Sequence, residues 1–214
     1  MGMPYGPGGR DIKLKTYRTS GDNLSYLIFD DKEKTGMLVD PGLDPTEIMD
    51  TILLMGLDLR YVIDTHHHSD HTSGNRIVKD ATGAEICAHE LDSNRIGDVD
   101  VILEDGDGLK VGAIDIRVLH TPGHTPGGIC LIVDDTYLIT GDTLFIDDCG
   151  RCDLPGGSFE DMFGSLQRIK GLPDHLIVLP GHDYGKKRRD GLGDQKRTNR
   201  TLRADSLEEF SRID

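Results

Sequence analysis

The feature that most constrains this chain is His66-His67-His68-Ser69-Asp70-His71, placed directly after an apolar stretch, Leu59 to Thr65, that reads as a buried strand. In register the run reads H-x-H-x-D-H. Neutral imidazole and carboxylate are the natural ligands of zinc, iron and manganese. Alternate residues of an extended segment point the same way, so His66 and His68 can converge on one ion. Asp70 and His71, past the turn, can reach a second ion a few ångströms away. The fold must therefore hold this loop rigidly at a strand end.

Three more segments repeat the pattern. His120-Thr121-Pro122-Gly123-His124 follows an apolar run, Gly141-Asp142-Thr143 follows another, and Pro180-Gly181-His182-Asp183-Tyr184 a third. Each puts a ligand-type side chain beside glycine at the C-terminal end of a strand pattern, where rigid scaffolds assemble their sites.

The rest of the chain supplies the scaffold. Strand patterns fall at Ile12–Tyr17, Leu24–Phe29, Gly36–Val39, Glu85–Ala88, Val101–Leu103, Leu109–Val111, Ile114–Leu119, Ile129–Val133 and Tyr137–Thr140, with Leu176–Leu179 last. A helix starts at Asp44 as N-cap, with Glu47 placed for a capping box, and ends near Gly56. Residues 74–82 read as helix. Ser158 caps another through about Lys170, and Ser206 with Glu209 marks a short last one. Mixed strands and helices without a clean βαβ rhythm predict α+β, or layered α/β with two sheets. The 214 residues fit one large domain, residues 11–214, after a flexible lead-in at 1–10.

Composition narrows the function. Acids outnumber bases 38 to 24, 30 of them Asp, for a net charge of −14. This disfavours a global grip on nucleic acid or an acidic membrane. No apolar run approaches 18 residues and the N-terminus lacks a signal-peptide core, so a cytoplasmic protein is expected. Four cysteines are too few for a disulfide scaffold. Cys87 and Cys130 read as buried small hydrophobes. Cys149 and Cys152 form a C-x-x-C outside any βαβ context, and read as a loop near the site mouth.

The four ligand-bearing segments, in this order, resemble the metallo-β-lactamase superfamily over essentially the whole chain. The resemblance implies a four-layer αββα sandwich of two mixed sheets, with metals at one edge. It implies that His66, His68 and His124 hold one metal, that Asp70, His71 and His182 hold the other, and that Asp142 bridges them; His67 is unassigned. Flavodiiron relatives carry Glu where this chain has His68, and the superfamily's true β-lactamases lack a bridging Asp at the Asp142 position. The branch resembled is glyoxalase II. Cys149-Gly150-Arg151-Cys152-Asp153 and His182-Asp183-Tyr184 further resemble persulfide dioxygenases, its cousins.

Two activities are implied. One is hydrolysis of a small-molecule thioester by a hydroxide shared between two divalent ions (Zn, Fe or Mn), with Asp70 orienting it. The alternative is oxidation of a thiol persulfide to sulfite at a single Fe(II) held by His66, His124 and Asp142. A nuclease of the same superfamily ranks third. Substrate contacts are expected from Arg151, Tyr184, Lys186 and Lys187. The last two open a basic segment, residues 186–203, with eight of the 24 bases, read as an anion clamp for the thiol carrier. Family analogy adds a homodimer.

Overall fold

The computed structural model describes residues 12–213, so the 1–10 lead-in lies outside the described residues. In chain order the elements are β1 (Ile12–Ser20), β2 (Asn23–Asp30), β3 (Thr35–Val39), α1 (Thr46–Met55), β4 (Asp58–Ile63), α2 (Ser69–Thr72), α3 (Asn75–Thr82), β5 (Glu85–His89), α4 (Glu90–Ile96), β6 (Val101–Leu103) and β7 (Gly108–Val111). There follow β8 (Ile114–His120), β9 (Ile129–Val133), β10 (Tyr137–Gly141), α5 (Phe159–Lys170), β11 (Ile177–Pro180), β12 (Asp190–Gly191), α6 (Leu192–Thr198) and α7 (Leu207–Phe210).

The strands form two six-stranded sheets, ordered β1-β2-β3-β4-β5-β6 and β12-β11-β10-β9-β8-β7. Both are mixed: β3, β4, β5 and β6 run parallel, as do β10 and β11, and the other pairs are antiparallel. Side-chain alternation divides the core into three layers. Leu24, Tyr26 and Ile28 of β2 meet Ile129, Leu131 and Val133 of β9 between the sheets. Leu27 and Phe29 of β2 instead face α1 and α3, through Ile48, Ile52 and Val78. Cys130 and Ile132 of β9 face Met162, Leu166 and Ile169 of α5. A strand buried on both faces reads as a near-continuous apolar run, as β9 does throughout and β2 does over Tyr26–Phe29. The result is the αββα sandwich that the motif order implied.

Local signals were mostly obeyed. Ser158 Oγ accepts from Asp161 N, and Ser206 Oγ from Glu209 N. The capping box at α1 does not form. Asp44 does accept from Thr46 N at 3.1 Å, but its own amide goes to Thr19 O in the neighbouring hairpin, so Glu47 has nothing to reach back for. Ile177–Pro180 is not the last strand either, because β12 pairs outside it. Helices α2, α4 and α6 were not foreseen; each is seven residues or shorter and carries no apolar stripe long enough to read.

At one rim the sheets are joined by main chain. Leu24 N bonds Gly181 O at 2.8 Å, and Ile129 N bonds Thr65 O at 2.9 Å. The four ligand-bearing segments open onto this rim. Among the described residues no helix is long and apolar enough to cross a membrane.

Candidate metal centre

Strand ends deliver the donors. His66 and His68 leave the end of β4, and α2 carries Asp70 and His71. His124 lies in the loop after β8, Asp142 follows β10, and His182 follows β11. Gly141, with φ +47°, turns the chain sharply here, and its missing side chain leaves room for Thr65.

The side chains converge. His68 Nδ1 stands 2.9 Å from His124 Nε2, and the His66 ring centroid lies 4.8 and 5.0 Å from those of His68 and His124. His71 Nε2 and His182 Nε2 are 3.3 Å apart, with Asp70 Oδ2 3.7 and 3.5 Å from them. Asp142 lies between the groups, 3.5 Å from His124 Nε2, 3.5 Å from His71 Nε2 and 3.3 Å from His182 Nε2. Three donor sets are compact: His66 with His68 and His124, His66 with His71 and Asp142, and Asp70 with His71 and His182.

The outward nitrogens fix the tautomers. His71 Nδ1 donates to Asp40 Oδ2 at 3.0 Å, His182 Nδ1 to Asp22 Oδ1 at 3.1 Å, and His124 Nδ1 to the Arg151 carbonyl at 2.7 Å. His66 Nδ1 meets Thr65 Oγ1 at 3.1 Å, whose hydroxyl donates to Asp40 Oδ2. Four Nε2 lone pairs are thereby aimed inward. His66 Nε2 and Asp142 Oδ1 are buried with no hydrogen-bond partner. Nitrogen lone pairs and a carboxylate facing one another repel unless a cation lies among them, so this donor set fits a divalent metal.

In the metal-free protein a proton on His71 takes the place of such a cation. Burial opposes charge on His71, but Asp142, Asp40 and Asp70 outweigh it and raise its pKa to about 9. Burial likewise opposes the Asp142 anion, yet His71, His182 and His66 hold its carboxyl far below the usual range. Burial and the His124 ring press His68 down to about 4.

Asp40, Asp22 and Asn23 were not foreseen. Asp40 follows β3 in a left-handed conformation, φ +50°, and is buried; it also accepts from Thr65 N at 2.8 Å. Such strain in a non-glycine residue gathers at functional sites. The clue was available, since Asp40 ends an apolar strand just as Asp142 does. Asn23 Nδ2 donates to Asp70 Oδ2 at 3.2 Å.

A cavity of about 480 Å³ opens beside His124 and Asp142, walled by Phe145, Ile146, Tyr184 and Lys186. Tyr184 stacks on His182, with centroids 4.7 Å apart and planes 6° from parallel. Burial, then Asp22 and Asp142, raise its phenol to about 12, so it keeps its proton.

A model of the metallo-beta-lactamase superfamily matches residues 18–182. The chain belongs to this superfamily. It is 38% identical over 179 residues to the probable polyketide biosynthesis zinc-dependent hydrolase BaeB of Bacillus velezensis, covering 82% of this chain and 79% of that one. It is 32% identical over 177 residues to the hydroxyacylglutathione hydrolase of Pelagibacter ubique, covering 82% and 73%. The crystal structure of ETHE1 from Myxococcus xanthus superposes with a TM-score of 0.85 at 29% identity, covering 92% of this chain and 88% of that one.

In this superfamily member the expected substrate residues separate. Arg151, Tyr184 and Lys186 reach the cavity; Lys187 does not, because Asp190 takes its ammonium at 3.0 Å. The basic segment is largely neutralised in the same way. Arg188 pairs with Asp183, Lys196 with Asp174, Arg197 with Asp194 and Arg200 with Asp148. An acid-rich chain has carboxylates within reach of most cations, so counting bases overstated the clamp. Cys149 lines the cavity, but burial and nearby acids raise its thiol to about 12 and that of Cys152 to about 11, which does not suit a redox pair.

Proposed function

We propose that this protein is a metal-dependent hydrolase of a small-molecule thioester, of the glyoxalase II type. The observation that carries the reading is that two compact three-residue donor groups flank Asp142, which itself groups with His66 and His71, beside an open cavity. His66, His68 and His124 would hold one divalent ion, Asp70, His71 and His182 a second, with Asp142 shared. Such ions supply Lewis acidity and bring the pKa of water toward neutrality.

The remaining work falls to this chain's own groups. Asp70, half-exposed and oriented by Asn23, accepts a hydrogen bond from the attacking water and aims it. Phe145 and Ile146 provide an apolar wall that excludes bulk water from the thioester. Tyr184 keeps its phenolic proton and donates to the bound thiol carrier. Lys186 faces an anionic group of that carrier. Likeness to zinc-dependent and hydroxyacylglutathione hydrolases supports the reading.

The Cys149–Asp153 and His182–Tyr184 motifs favour a second reading, a persulfide dioxygenase using one iron. His124 and Asp142, 3.5 Å apart, together with His66, offer the required two histidines and one carboxylate. Metal analysis paired with thioester-cleavage and oxygen-uptake assays tests both. Two metals per chain with thioester turnover is the expected result. One iron per chain with thiol-dependent oxygen uptake, and no thioester turnover, overturns it.

A further inference from the structure

The middle histidine of the triplet leads to a group outside the donor set. His67 turns away from the centre, toward α4. Its Nδ1 lies 3.0 Å from Asp92 Oδ2, and its Nε2 lies 2.9 Å from Arg95 NH1. Asp92 is a carboxylate only 1% exposed. A charge so buried is stable only if its acceptor sites are filled, and these are filled from two loops at once. Oδ2 accepts from the His67 amide at 3.0 Å, in the loop that carries His66 and His68. It also accepts from Thr125 Oγ1 at 2.7 Å, and Oδ1 accepts from the Gly127 amide at 2.9 Å; both donors lie just past His124. Arg95 extends the contact to a third loop through Pro155 O at 3.4 Å.

The approach is tight. A Cβ on Gly127 would stand 2.7 Å from both Asp92 Cγ and Asp92 N, so glycine is required there by space alone. His68 and His124 follow strands of different sheets, yet their donor nitrogens stand 2.9 Å apart. Asp92 is the carboxylate that hydrogen-bonds both loops bearing them.

We propose that Asp92 is a positioning residue that sets the distance between the His66–His68 loop and the His124 loop, and with it the affinity of these three histidines for a divalent ion. This inference rests on the metal-site reading above, and not on which reaction the site performs. Asp92→Asn keeps the shape but puts an amide NH₂ against one of three donors.

The test strips the purified protein with a chelator and titrates it with zinc against a chromophoric competitor. The ligand-field spectrum of the cobalt-loaded protein and the unfolding midpoint of the metal-free form are recorded alongside. D92N should lower zinc affinity roughly tenfold to hundredfold, the usual effect of losing a group that orients metal ligands. It should also shift the cobalt spectrum while the metal-free protein remains folded. Thr125→Val and Gly127→Ala perturb the same contact from the other loop and should change affinity in the same direction. They carry the test if D92N does not fold. Wild-type affinity and an unchanged cobalt spectrum in folded variants overturn the proposal. Failure of the wild-type protein to bind zinc or cobalt overturns it together with the metal-site reading, whereas loss confined to the variants supports both.

Discussion

Gly181→Ala should disable the centre without replacing a donor. A Cβ at this position would stand 2.3 Å from Asp142 Oδ1 and 2.9 Å from His71 Cε1. Ordinary contact begins near 3.4 Å, so one partner must retreat by about 1 Å. Gly181 itself is pinned: its amide donates to Gly141 O at 2.8 Å and its carbonyl accepts from Leu24 N at 2.8 Å. Its φ is not in the left-handed region, so alanine adds no backbone strain and the whole effect is contact. The Asp142 carboxylate must therefore move. A misplacement of about 1 Å in a catalytic constellation costs about a hundredfold in rate, close to 2.7 kcal/mol of transition-state stabilisation. The assay is kcat/KM on a thioester together with metal content per chain. Gly164→Ala is the control, since its Cβ meets nothing within 4 Å on the exposed side of α5. A G181A enzyme with wild-type metal content and kcat/KM within threefold of wild type would refute the reasoning.

Asp40→Asn should lower metal affinity tenfold to hundredfold, because the Asp40 carboxylate orients His71 directly and His66 through Thr65; chelator competition checks this, and wild-type affinity refutes it. Metal-free protein should be most stable near pH 6.5. His71, raised to about 9, contributes stability that is complete below its unfolded value of about 6.5 and lost as pH rises through 9, up to about 3 kcal/mol. His68, lowered to about 4, acts on the acid side, where stability falls as pH drops from about 6.5 toward 4. Denaturant titrations across pH 4–9 measure both flanks, and a flat profile contradicts them. Lys186→Glu should raise KM several-fold for an anionic thiol ester while Lys187→Glu leaves it unchanged, because Lys186 lines the cavity and Lys187 faces Asp190; equal effects refute the division.

The candidate donors were legible in the sequence because imidazole and carboxylate are recognisable ligand types and each stands just past a strand pattern. His66, His68, Asp70, His71, His124, Asp142 and His182 thereby fall in four short words of the sequence. The two-sheet sandwich followed from the same words, helped by apolar runs such as Ile129–Val133 that only a doubly buried strand tolerates.

What the linear pattern left open was partnership. Asp40, Asp22 and Asp92 look like any of the 30 aspartates until folding brings them 31, 160 and 25 residues across the chain to His71, His182 and His67. The charge of the basic segment was likewise legible, as were its local partners Asp183, Asp190 and Asp194, but Asp174 and Asp148, 22 and 52 residues from Lys196 and Arg200, reach it only through folding. Residue type fixes which atoms can bind a cation or accept a proton. Which of them are desolvated, aimed and held is decided by long-range burial and hydrogen bonding, and only the tertiary structure carries that information.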